Sequence, residues 1–195
     1  MAVLYNGAHE IMLPLEALRD PRAVFATGNL STVQKLALMQ VERPAQLETG
    51  TRGHIIAWHG TTEHSATAIL RDGLSAKPAL KWQVNVISPR DGVWDPRKED
   101  VSDAVFAAFT AEEAGVFAMQ RCAYLQAKPG TYIPSRWEGF PRVLKLANAP
   151  IVANAKPALL KLTLPPSFSF LGNDNTQLLL REVPARYIKQ VAVRD

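Results

Sequence analysis

Ile55-Ile56-Ala57-Trp58-His59-Gly60-Thr61-Thr62-Glu63-His64-Ser65-Ala66-Thr67-Ala68-Ile69-Leu70-Arg71-Asp72-Gly73-Leu74 is the stretch from which the rest of the chain is read. It opens apolar and rich in β-formers, which predicts a buried strand. The run stops at His59-Gly60-Thr61. Gly60 lets the backbone pass close to a ligand or take a positive φ. Thr61 or Thr62 then caps a helix that starts near Glu63, where an acidic residue suits the first turn. Ala66, Ile69 and Leu70 recur at helical spacing, and Gly73 stands where a helix ends. The unit is strand, polar turn, short helix and glycine stop. It leaves an imidazole, a hydroxyl and bare backbone at the end of a strand.

The surrounding sequence sets broad limits. At 195 residues, one domain is expected. No apolar run is long enough to span a bilayer, so no membrane partner is expected. The first residues do not read as a basic region followed by an apolar core. Cys122 is the only cysteine, which excludes an internal disulfide and the multi-cysteine metal sites. These features together predict a cytoplasmic protein, in the host cytoplasm for a phage or effector product. The net charge of +4 permits an acidic ligand such as a dinucleotide. Its basic residues are scattered rather than interleaved with aromatics, so a nucleic-acid partner is possible but not indicated.

Residues 1–30 read as irregular, interrupted by Pro14 and Pro21, with an edge strand near Ala2 to Tyr5. Ser31 and Gln34 have capping-box spacing and begin a helix that Pro44 ends. Residues 81–87 alternate enough for a strand, Ser88-Pro89-Arg90-Asp91-Gly92 reads as a turn, and a polar stretch with Trp94 follows. Trp94 is a better candidate than Trp82 for facing a ligand. Val105 to Phe109 is a short strand. Thr110 and Glu113 form a second capping box, opening a helix that runs through Phe117 to Leu125 and stops before Pro129-Gly130. Residues 129–157 hold Tyr132, Arg136, Trp137 and Glu138 in a loop-rich stretch. Residues 158–164 form a clear strand, and Gly172-Asn173-Asp174-Asn175 a turn. The chain closes as a hairpin, one strand from Gln177 to Val183, a turn at Pro184, and a last strand to Val193.

Three of these stretches resemble the motifs of the ADP-ribosyltransferase superfamily, specifically its diphtheria-toxin and poly(ADP-ribose)-polymerase-like branch. In that branch a strand ends in His-Gly-Thr or His-Gly-Ser and a helix ends in Gly-Leu, as in 55–74. The resemblance implies that His59 bonds the adenosine ribose of NAD and that the Gly60 backbone bonds the nicotinamide amide, with Thr61 beside them. The second motif is an aromatic-rich strand, a polar turn and a helix carrying an aromatic that stacks on nicotinamide. The matching positions are Phe106 and Phe117, with phenylalanine where tyrosine is usual. A flat π-face is kept and the hydroxyl contact is lost. The third motif opens its strand with a catalytic glutamate, and Gln177 stands there. Glutamine keeps a hydrogen bond to the reacting ribose but brings no negative charge to the developing positive one, a loss of several kcal/mol of barrier lowering. Glu182 lies at the wrong end of the strand, and Glu138 or Asp174 would have to reach in from loops.

The implied fold is α+β, with split mixed β-sheets, short flanking helices and NAD in the cleft between two small antiparallel sheets. Residues 1–50 are expected to form an N-terminal extension whose helix packs on the core, and 51–195 the ADP-ribosyltransferase-like domain. The leading expectation is mono-ADP-ribosyl transfer from NAD, consumed as substrate, to a macromolecular acceptor, first of all a protein. His59 and Gln177 would be its catalytic residues, and His59, Gly60, Thr61, Phe106 and Phe117 would bind the dinucleotide. A second expectation is a catalytically weakened binding or inhibitor protein on the same scaffold, recognising a protein or ADP-ribose. An RNA 2′-phosphotransferase ranks last, because its further His and Arg positions have no match here. No metal is expected.

Overall fold

The computed structural model describes residues 2–3, 5–6, 9–27, 29–75, 86–88, 92–94, 104–134, 142–145 and 150–191. They form a mixed α+β structure of antiparallel sheets with few helices. The central sheet holds β1 (Ala2–Val3), β2 (Glu48–Thr49), β3 (Ile55–Thr62), β4 (Val105–Ala108), β5 (Pro157–Leu164), β6 (Gly172–Asn173), β7 (Gln177–Leu180) and β8 (Ile188–Val191). Their order across the sheet is β1-β6-β7-β4-β3-β5-β8, with β2 added beside β3. A second sheet joins Tyr132–Pro134, Arg142–Leu144, Val86–Ser88 and Gly92–Trp94. The helices are α1 (Pro21–Ala26), α2 (Thr32–Leu38), α3 (Glu63–Asp72) and α4 (Ala111–Gln126).

β3 and β5 form the spine, paired without a break from Ile55 opposite Leu164 to Thr62 opposite Pro157. Alternation along β5 buries Ala158, Leu160, Leu162 and Leu164 on one face. That face joins Ile55, Ala57, Val105, Ala107, Leu178 and Leu180 in the main core. Leu13, Leu15, Leu18, Val24 and Leu38 of the N-terminal segment belong to the same core. Burying such side chains stabilises by about 2 kcal/mol each, which together is comparable to the whole stability of a typical domain. Residues before 50 are therefore bound into the core that the sheet builds. The opposite face of the sheet carries α4.

Several local expectations change. β3 does not stop at His59. It runs on to Thr62, because β5 supplies ladder partners that far and threonine suits a strand. Thr62, rather than Thr61, then caps α3, its hydroxyl accepting from the Ser65 amide at 3.3 Å. Gly73 ends α3 at φ +86°, where a side chain would be strained. The stretch read as irregular holds a 3-10 turn (Leu15–Leu18) and α1. Pro21 starts that helix rather than interrupting it, since its missing N–H is not needed at the first helical position, and Asp20 caps it. Gly172 and Asn173 pair on both sides as β6, so the turn narrows to residues 174–176. The C-terminal segment is not a hairpin. β7 pairs with β4 and β6, Glu182–Val183 pairs with Leu74–Ser75, and β8 crosses to the far side of the sheet to pair with β5.

Candidate functional site

Ladder parity shows what faces the space between β3 and β4. The Phe109 amide donates to the Thr176 carbonyl at 2.8 Å, toward β7. Backbone groups alternate sides along an antiparallel strand, so Ala108 and Phe106 turn theirs toward β3. The Glu63 amide donates to the Lys156 carbonyl at 3.0 Å, on the β5 side. By the same alternation Trp58 and Gly60 turn their N–H and C=O toward β4. The two strands meet at one pair, Ala108 opposite Trp58, and then part. Past that point no further ladder pair joins the two strands among the described residues, and the Gly60 backbone and the Phe106 carbonyl are turned toward each other's strand.

His59 lies at this parting. Its ring is half-buried, and Nδ1 is 2.9 Å from the Phe106 carbonyl oxygen. A carbonyl only accepts, so Nδ1 carries the proton in this bond and Nε2 is left as a bare acceptor in the neutral ring. Burial is the larger influence on the imidazole and holds its pKa below the ordinary histidine value; the Phe106 carbonyl partly offsets this. The ring is therefore neutral near pH 7, a state that accepts a hydrogen bond from a hydroxyl.

Packing requires a glycine at position 60. A Cβ placed on it overlaps the Ala114 carbonyl of α4, so the helix crosses the strand in direct backbone contact. Ala114, Ala118 and Cys122, spaced four apart, form the buried small-residue stripe of that helix. Any ligand contact to Gly60 must come through its edge N–H and C=O, because α4 closes its face. Thr61 is buried opposite Ala158. Phe106 is 42% exposed, and Phe117 is half-buried on α4, next to Ala118.

Gln177 begins β7. It stands opposite Ala108, which stands opposite Trp58, so the three form one row across three strands. Pleat alternation puts that row on the α4 face, whereas His59 belongs to the alternate pleat. His59 and Gln177 do not touch: two strand spacings, roughly 10 Å, separate their strands. Gln177 Nε2 donates to Glu113 Oε1 at 3.3 Å. The capping box expected at Thr110 and Glu113 is only half made. The Thr110 hydroxyl accepts from the Glu113 amide at 3.2 Å, but the Glu113 carboxylate turns to Gln177 instead of returning to the cap.

A cavity of about 420 Å³ opens beside this row, lined by Gln46, Leu47, Glu48, Trp58 and residues 109–112. A neighbouring one of about 180 Å³ includes Glu113, Asn175 and Thr176. Neither is lined by His59, Gly60, Phe106 or Phe117. Trp58 and Glu113 line these cavities, and the sequence reading passed over both. Trp58 was visible as the aromatic preceding His-Gly, and Glu113 was absorbed as a cap. Lys161 Nζ sits 5.4 Å over the Trp58 ring and 3.6 Å from the Glu48 carboxylate, two residues that line the larger cavity. Trp82, Arg136, Trp137 and Glu138 lie outside the described residues, as does the side chain of Trp94. Among the described residues no cluster of potential metal ligands occurs and no helix is long and apolar enough to cross a membrane. No protein-family model matches the sequence, and no curated protein matches it.

Proposed function

We propose that this chain is a mono-ADP-ribosyltransferase of the ADP-ribosyltransferase fold, which moves ADP-ribose from NAD to a macromolecular acceptor, first of all a protein, and releases nicotinamide. One observation carries the reading. The three stretches that resemble the family's motifs are far apart in sequence, yet they occupy three adjacent strands, β3, β4 and β7. The chemistry where β3 and β4 part is compatible. A carboxamide needs one acceptor and one donor side by side, and the Gly60 edge offers C=O and N–H. The bare Nε2 of His59 suits a ribose hydroxyl. Phe106 and Phe117 offer flat faces for a nicotinamide ring. Gln177 stands two strand spacings from His59 and on the opposite pleat, so it meets the reacting ribose from the α4 face.

The second reading, a binding protein on the same scaffold, is favoured by the amide at Gln177 and by the close seal of α4 over Gly60. Incubation with NAD labelled in its adenylate half, alone and with cell lysate, separates the two. The transferase reading expects label on protein together with stoichiometric nicotinamide release. No label and no nicotinamide would end it, and saturable NAD or ADP-ribose binding without turnover would leave the binding reading in its place.

A further inference from the structure

We infer that Glu113 supplies the negative charge that Gln177 lacks, so that the carboxylate of the ribosyl-transfer site comes from the first turn of α4 rather than from β7; this rests on the transferase reading above. The geometry is specific. Glu113 Oε1 accepts from Gln177 Nε2 at 3.3 Å, which puts an acidic group within one hydrogen bond of the side chain in register with Trp58 and Ala108. The carboxylate reaches that position by giving up the capping bond its spacing would otherwise make. It is half-buried and lines the cavity of about 180 Å³ with Thr110, Asn175 and Thr176, so a ligand can approach it. Gln177 is itself held in place: its backbone N–H donates to Asp174 Oδ1 at 2.6 Å, which pins the start of β7.

The chemistry needs such a group. In the transfer, the bond from ribose C1′ to the pyridinium nitrogen breaks and its electron pair leaves with nicotinamide, which becomes neutral. A bond from C1′ to the acceptor nucleophile forms, and the acceptor's proton passes to solvent. Positive charge moves from the pyridinium ring onto the sugar on the way. A carboxylate beside the sugar stabilises that charge, and an amide stabilises it far less. Gln177 relays the position of the Glu113 carboxylate by holding both it and the ribose hydroxyl.

The test uses the full-length chain, NAD labelled in the nicotinamide ring, and the variants Glu113→Gln, Gln177→Glu and the double exchange. Glu113→Gln is expected to slow nicotinamide release by ~100-fold with KM for NAD changed little. The double exchange, which returns the carboxylate to β7 and keeps the pair, is expected to recover at least ~10-fold of that loss. If Glu113→Gln keeps more than about a third of the wild-type kcat, this inference fails while the transferase reading stands. If the wild-type chain neither binds NAD nor releases nicotinamide, both fail; binding without release overturns the role of Glu113 and leaves the binding reading. Should Glu113→Gln unfold, Gln177→Glu alone decides. Two carboxylates in contact share a proton, so the acid limb of its kcat profile must move to higher pH, and an unmoved limb overturns the inference.

Discussion

His59 Nδ1 lies 2.9 Å from the Phe106 carbonyl oxygen, so an imidazole takes a backbone acceptor that β3 leaves unpaired where it parts from β4. The side chain thus ties β3 to β4 beyond their last ladder pair and leaves Nε2 as the ring's acceptor.

The first prediction concerns pH. Burial is the main reason that the His59 pKa lies below the ordinary value of 6.5. Between the lowered folded value and 6.5 the unfolded chain binds more protons than the folded one, so stability rises with pH there. Stability contributed by His59 is fully present above 6.5 and is lost as pH falls through the folded value. Urea midpoints measured from about pH 7.5 down to about pH 5 should fall for wild type and fall less steeply for His59→Gln. Parallel curves would contradict the assignment.

Gly60→Ala is predicted to destabilise. The new Cβ overlaps backbone of Ala114, which cannot swing aside as a flexible side chain can. Overpacking of this kind costs about 1–3 kcal/mol, and α4 must lift from β3 to relieve it. A lowered urea midpoint is the expected result, and any NAD affinity should fall with it because the Gly60 edge shifts. An unchanged midpoint would mean that the helix does not lie against the strand.

These two residues also show how far sequence carries. His-Gly followed by helical spacing revealed a strand, a helix and an end at Gly73, and all three are present. The same residues hid the strand's length, because ladder partners on β5, a hundred positions away, decide where β3 ends. The C-terminal partners were unreadable for the same reason. Nothing local in 177–191 says that β7 pairs with β4 while β8 pairs with β5. Glu113 was legible as a cap because the capping box is a local pattern; its turn toward Gln177 depends on a residue 64 positions away.

Asp174 sets the start of β7 and hence Gln177. Its Oδ1 accepts from the amides of Thr176 and Gln177 at 2.8 and 2.6 Å and from the Thr176 hydroxyl at 3.0 Å. Asp174→Ala strands these half-buried donors, at about 1–3 kcal/mol. Any NAD turnover should fall in kcat more than in KM, since Gln177 loses its register while the His59 end of the site is untouched. Asp174→Asn retains an acceptor oxygen and should lie between. Equal stability of Asp174→Ala and wild type would refute the role.

The last prediction concerns Lys145, which is 1% exposed. Its ammonium donates to the carbonyls of Leu125, in the last turn of α4, and Pro150, and lies 4.6 Å from the Tyr124 ring centre. Among the described residues no carboxylate pairs with it. The carbonyl end of α4 carries a partial negative charge and serves as its counterpart. Burial, and secondarily the charge of Arg121, lowers the pKa from the ordinary 10.5. Lys145→Met keeps most of the volume, removes the desolvation penalty and leaves the Leu125 carbonyl satisfied by the Val152 amide at 3.0 Å. The opposing terms nearly cancel, so the change at neutral pH should be within about 1 kcal/mol. The sign then depends on pH. Between the lowered folded pKa and 10.5 the unfolded lysine holds more protons than the folded one, so wild type gains stability as pH rises through that window. Lys145→Met has no such gain. Urea midpoints of the two proteins at about pH 7 and about pH 10 should therefore diverge in favour of wild type at the higher pH, and a constant difference would show that the ammonium is not desolvated.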